Sequence, residues 1–196
     1  MDIDWSKLRD SDPDNQLNNK DAAPLARDNV FGTRDGRPAT GVARKINDNG
    51  ADEIYLYQFW RSWDEKNTKY VQFICRNPEK STPDDPNVMR AVSFAQRWGY
   101  GGLCVTNLFA EIGQVWRGRE EAVGPYNVSN IVGVASQAYF IICAWGDTFE
   151  RGAGAMCVNM LRSYGHHRLF HLGLSSRGGP KHISQVSKTV VPILWV

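Results

Sequence analysis

Four apolar runs recur along this chain: YVQFIC (Tyr70–Cys75), GLCVTNLF (Gly102–Phe109), AYFIICAWG (Ala138–Gly146) and LFHLGL (Leu169–Leu174). Helix-compatible segments separate them. That alternation constrains the fold more than any other feature. Parallel strands must be joined by long crossovers, and strands alternating with helices imply a parallel sheet with right-handed connections. The near-continuous hydrophobicity of the runs matches strands covered on both faces. The expectation is an α/β fold: a single domain over residues 51–196, with a central, mainly parallel sheet flanked by helices. At 196 residues the chain has length for one such domain with a substantial core.

The helices carry their own signals. Asp85 can cap a helix that opens with Pro86, and Val88, Ala91, Val92, Ala95 and Trp98 then recur at helical spacing up to Gly99. A second helix is expected over Val128–Gln137. A third is expected over Glu150–Tyr164, with Gly165 as a left-handed stop. Upstream, the aromatic run IYLYQFWRSW (Ile54–Trp63) reads as a strand, and a turn at Asp64–Asn67 predicts a hairpin with Tyr70–Cys75.

Residues 1–50 are rich in Asp, Asn, Gly, Pro and Arg with little periodicity, so they read as an arm or a set of loops. Arg34, Arg37, Arg44 and Lys45 there suit either a phosphate backbone or an ordinary solvated loop. No apolar run approaches the ~20 residues that span a bilayer, and the acidic start lacks a secretion signal, so a cytoplasmic protein without membrane contact is expected. The four cysteines sit singly in apolar segments and read as buried hydrophobes. A Walker loop, a dinucleotide-binding glycine motif, a serine elbow and a metal-ligand cluster are all missing from the sequence, so neither metal nor cofactor is expected. The net charge of +2 neither demands nor excludes nucleic acid.

In an open parallel sheet, ligands bind outside the carboxyl ends of the strands. The residues following the four runs are polar and unusual: Arg76-Asn77-Pro78, then Asn107, then Trp145-Gly146-Asp147, then the segment SSRGGPKHIS. Pro78 holds Asn77 extended, which would aim its amide at a ligand or a water, although Asn-Pro also reads as a plain strand-ending turn. Asn107 suits recognition or loop bracing equally. Trp145-Gly146 offers a stacking wall or a packed corner. His182 can donate a hydrogen bond to developing negative charge. Asp84 is a candidate general base, because capping already accounts for Asp85.

The segments YLYQFWRSWD, RNPEKSTPDDPNVMRAVSFAQRWGYGGLCVTNLFAE, AVGPYN, CAWGD and LGLSSRGGPKH together resemble an uncharacterised family of bacterial and phage proteins, a domain of unknown function, from about Ile54 to His182. More distantly, the order of rim motifs is similar to that of the uracil-DNA glycosylase superfamily, whose members have an α/β fold with a central parallel sheet. That resemblance implies catalytic Asn77 positioning a water, Asn107 reading a flipped base, and His182 with Ser184 stabilising the departing base. Arg76, Pro78, Trp145 and Gly146 would then complete the substrate site. Glu79 stands where that superfamily has glycine, and Ile183 where it has proline. These departures imply a substrate other than uracil, or reuse of the fold. The expected function is a DNA glycosylase-like hydrolase acting on an unusual or modified base in DNA. Modification of a hypermodified phage base, and non-catalytic binding of DNA, a nucleotide or a protein in phage-host conflict, are the alternatives. Oligomeric state is left open.

Overall fold

A computed structural model describes residues 55–64, 66–79, 85–113, 120–146 and 151–195. Among them six strands form one sheet: β1 (Phe59–Ser62), β2 (Tyr70–Cys75), β3 (Gly102–Asn107), β4 (Phe140–Cys143), β5 (Leu169–His171) and β6 (Ile193–Leu194). Three α-helices join them: α1 (Pro86–Arg97), α2 (Asn127–Ala135) and α3 (Arg151–Ser163). The strand order is β1-β3-β2-β4-β5-β6. The inner four strands are parallel and the two edge strands run antiparallel to their neighbours. The class is α/β with a mixed, mainly parallel sheet.

The order dictates the layers. From β2 the chain steps to β3 on one side, then returns past β2 to β4 and goes on to β5. Right-handed crossovers in opposite directions place their helices on opposite faces. Accordingly α1 packs through Val88, Ala91, Val92, Phe94 and Ala95 against Val71, Phe73, Cys75, Leu103 and Val105. Helices α2 and α3 cover the other face through Val128, Ile131, Cys157 and Leu161 against Ile74, Ile141 and Cys143. Strands β2 and β3 are buried along their full length, as their sequences require.

The start of α1 is the one expected from sequence. Asp85 accepts hydrogen bonds from the backbone N–H groups of Asn87 (2.8 Å) and Val88 (3.3 Å), and Pro86 occupies the first turn. Gly165 follows α3 at φ +87°, the left-handed stop its position predicts.

Two features differ from expectation. β1 does not form a hairpin with β2; it pairs with β3, Phe59 opposite Val105 and Ser62 opposite Gly102. Both edges of β2 are filled by parallel partners, so the open edge of β3 is the site left for β1. The connection folds under the start of β3, where a Cβ on Gly101 would lie 1.8 Å from the Asn67 carbonyl oxygen. The second difference is β6, a two-residue antiparallel edge strand within PILWV. Its brevity and Pro192 hide it from a periodicity reading, although proline is tolerated at a sheet edge. No helix among the described residues is long and apolar enough to cross a membrane.

Candidate functional site

The strand order reverses between β2 and β4, where a ligand crevice is expected, but the cleft that gathers the rim asparagines lies one strand over, at the carboxyl ends of β2 and β3. β2 ends at Cys75, and its ladder is continued by the segment after β3. Leu108 N–H donates to the Cys75 carbonyl, Phe109 N–H to Arg76, and Gly113 N–H to Pro78, each at 2.9 Å. The Asn77 side chain joins this bracing, its Nδ2 donating to the Gly113 carbonyl at 2.6 Å. That bond fixes the amide, and Oδ1 makes no protein hydrogen bond among the described residues. Asn77 is therefore anchored by its donor, with its acceptor available.

Asn107 ends β3 opposite Cys75. Its carbonyl accepts from Asn127 Nδ2 at 2.9 Å, and the same Nδ2 lies 3.0 Å from the Leu108 carbonyl, so the first residue of α2 clamps the end of the strand. The Asn107 side chain is 3% exposed and has no hydrogen-bond partner among the described residues. It lines a cleft with Asn77, Pro78, Cys75, Asp85 and Asn87. The cleft has a volume of about 20 Å³, room for one water molecule.

Strand alternation explains the grouping. Residues two apart share a face, so Asn77 continues the side of Val71, Phe73 and Cys75, and Asn107 that of Leu103 and Val105. Both therefore meet the amino end of α1, where Asp85 is buried. One Asp85 oxygen serves the helix cap, and the other has no hydrogen-bond partner among the described residues. Asp85, read from sequence as a cap only, is thus also a wall of the cleft. Its double role was discoverable from the helix start falling directly after the β2 rim. Asp84, the sequence candidate for general base, lies outside the described residues, as do Asp147 and the arm residues Arg34, Arg37, Arg44 and Lys45.

His182 reaches this rim from the segment after β5. Ile183 N–H donates to the Ala144 carbonyl at 3.2 Å and its side chain is fully buried on the α1 face, while the Arg90 guanidinium of α1 donates to the Val186 carbonyl. His182 Nδ1 lies 2.8 Å from Ser184 Oγ and accepts from Ser184 N–H at 3.3 Å, which leaves Nε2 as the protonated nitrogen of the neutral ring. Burial pulls the His182 pKa below the ordinary imidazole value. Arg76 lowers it further, and Glu79 and Asp85 oppose the shift. At neutral pH His182 is a neutral hydrogen-bond donor with the charges of Arg76, Glu79 and Asp85 around it. Glu79 itself is exposed, and Arg76 half-buried.

Trp145 and Gly146 do not join the asparagine cleft. Trp145 follows Ile141 and Cys143 onto the face of α2 and α3, and lines a separate cavity there. Gly146 lines that same cavity, at φ +90°, and a Cβ on it would lie 3.3 Å from the Cβ of His182. The sequence reading put every rim residue into one site; the period-two alternation divides them between two faces.

Burial pushes Cys75 up to about 12, with a further push from Asp85, and Cys157 to about 12 by burial alone. Cys104 and Cys143 are also raised well above the usual thiol range by burial. None of the four has thiolate character at neutral pH. Among the described residues no cluster of three or more His, Cys, Asp or Glu side chains is arranged to hold a metal.

A family model described as Protein of unknown function (DUF1643) matches residues 57–182, a span that includes every cleft residue but Leu56 and ends on His182. No curated protein and no solved structure matches the chain.

Proposed function

Since the chain belongs to the family described as Protein of unknown function (DUF1643), a description that names no reaction, we propose its function from the cleft. The proposed activity is hydrolysis of the N-glycosidic bond of an unusual or modified base in DNA. The observation that carries this reading is the Asn107 amide: 3% exposed, without a protein partner among the described residues, and facing a cleft it shares with Asn77 and Asp85. An amide presents a donor and an acceptor side by side, the complement of a base edge. The amide atoms are not wholly cut off from solvent, so a water or a ligand in the cleft satisfies them. The similarity of the rim motifs to those of the uracil-DNA glycosylase superfamily supports the same reading.

In the proposed reaction the cleft, too small for a base, holds the attacking water; the extruded base lies over its mouth and the Asn107 amide meets the base edge through bound water. Asn77 Oδ1 accepts a hydrogen bond from the water and aims its oxygen at C1′ of the sugar. Asp85 receives the proton that the water loses as the O–C1′ bond forms. The C1′–N bond breaks, its electron pair leaves with the base, and His182 Nε2–H donates to the anion so formed. A neutral imidazole fits this donor role. Arg76 supplies positive charge beside the departing base, and Ser184 holds the imidazole in register.

The test is an abasic-site assay on single- and double-stranded DNA carrying uracil, hydroxymethyluracil or other modified bases, with Asn77→Ala and Asn107→Leu alongside. Abasic sites that form at one base and vanish in both variants are the expected result. Silence across the panel with folded protein, or release unaffected by either substitution, would sink the assignment. Conversion to a new nucleoside with its glycosidic bond intact would replace it with base modification.

A further inference from the structure

The cavity on the α3 face has its own chemistry. It measures about 400 Å³, within the range of small-molecule sites, and opens between α3 and the loop after β5. Its floor is Trp145. A Cβ on Gly154 would lie 2.6 Å from the indole Nε1, so glycine is what lets α3 settle onto the ring. Trp195 meets Trp145 edge-on, with centroids 6.2 Å apart and planes at 60°. Trp145 is only 5% exposed, yet its indole N–H has no acceptor among the described residues. The nitrogen itself is not cut off from solvent, and the ring lines the open cavity.

Two cations line the same cavity. Arg162 comes from the last turn of α3 and Arg177 from the glycine-rich loop, both exposed. No carboxylate is among the described residues that line the cavity. Guanidinium groups match phosphate oxygens in pairs, an indole N–H adds a third donor, and tryptophan rings accept a stacked base.

We propose that this cavity binds the phosphate of a nucleotide unit, free or within a DNA strand, with Arg162, Arg177 and Trp145 Nε1 as donors and the tryptophans against the base. The site goes beyond the proposed hydrolysis and does not depend on it, because the asparagine cleft lies on the other face.

The test is isothermal titration of the full chain at low salt with thymidine 5′-monophosphate, thymidine, inorganic phosphate and a short single-stranded oligonucleotide. The variants are R162Q/R177Q, A155F and N77A. Ala155 is an exposed residue of α3 that lines the cavity, so A155F fills the space while keeping both arginines and the fold. The mononucleotide is expected to bind, thymidine is not, and R162Q/R177Q and A155F each weaken binding by about tenfold or more. N77A is expected to bind as the wild type does, whatever its activity, which separates this site from the cleft. Binding of the oligonucleotide alone, lost in the same variants, would assign the phosphate to a strand. Equal binding of thymidine or of inorganic phosphate, undiminished binding by both cavity variants, or no binding of either nucleotide or oligonucleotide would overturn the proposal.

Discussion

Replacing Asn107 by leucine tests the difference between a recognition residue and a structural one, because the two predict opposite signs. The Asn107 amide is nearly fully buried and bonds to no protein group among the described residues, so the folded state has lost part of its hydration without exchange. A fully buried unpaired polar group costs about 1–3 kcal/mol; the Asn107 amide keeps some access to the one-water cleft, so its cost is at the low end, about 1 kcal/mol. Leucine has similar volume, removes the polar atoms and joins Val105, Leu56 and Val88 at the cleft wall. The expected result is a gain of about 1 kcal/mol, or about 2–4 °C in Tm for a chain of this size, with loss of base release. Asn127→Leu is the control. Its Nδ2 serves the carbonyls of Asn107 and Leu108, so the substitution strands two acceptors; it also removes a buried Oδ1 without a partner among the described residues, and the net expectation is a cost of about 1 kcal/mol or more. Thermal and urea unfolding measure both. A fall in Tm for Asn107→Leu comparable to that of Asn127→Leu would refute the reasoning, since it would show the Asn107 amide to be bonded within the fold.

Three further outcomes follow from the same structure. Asp85→Asn keeps a good cap and removes the charge, so unfolding is expected to change by only a few tenths of a kcal/mol while base release falls; Asp85→Ala also loses the cap and costs about 0.5–2 kcal/mol. His166, His171 and His182 all have pKa values lowered by burial, so the unfolded chain binds more protons below the ordinary value of 6.5. Their contribution to stability is complete above pH 6.5 and declines as pH falls through the lowered folded values, and His182→Gln should shrink that decline in a urea titration series. Finally, with Cys75 and Cys157 at about 12 and the other two thiols also raised, a maleimide at pH 8 should label the four only on unfolding, as read by mass spectrometry. Rapid labelling of the native protein would contradict the burial described.

What the sequence determined by itself was local and periodic. Asp85, Pro86 and the stripe from Val88 to Ala95 are sufficient to start α1 and choose its buried face, because capping and amphipathicity are written within one helix. The apolar runs announce β2 to β5 for the same reason: a strand covered on both faces has no polar side to alternate with. Even the rim was legible, since whatever follows such a run lies at its carboxyl end. The tertiary structure decided which of those rim residues meet. β1 goes to β3 because both edges of β2 are occupied, a competition that no local window contains. β6 depends on a partner strand rather than on its own two residues. Asn77, Asn107 and Asp85 share a cleft while Trp145 faces the opposite way, because one residue of register reverses the side of the sheet and the handedness of each crossover sets which helix waits there.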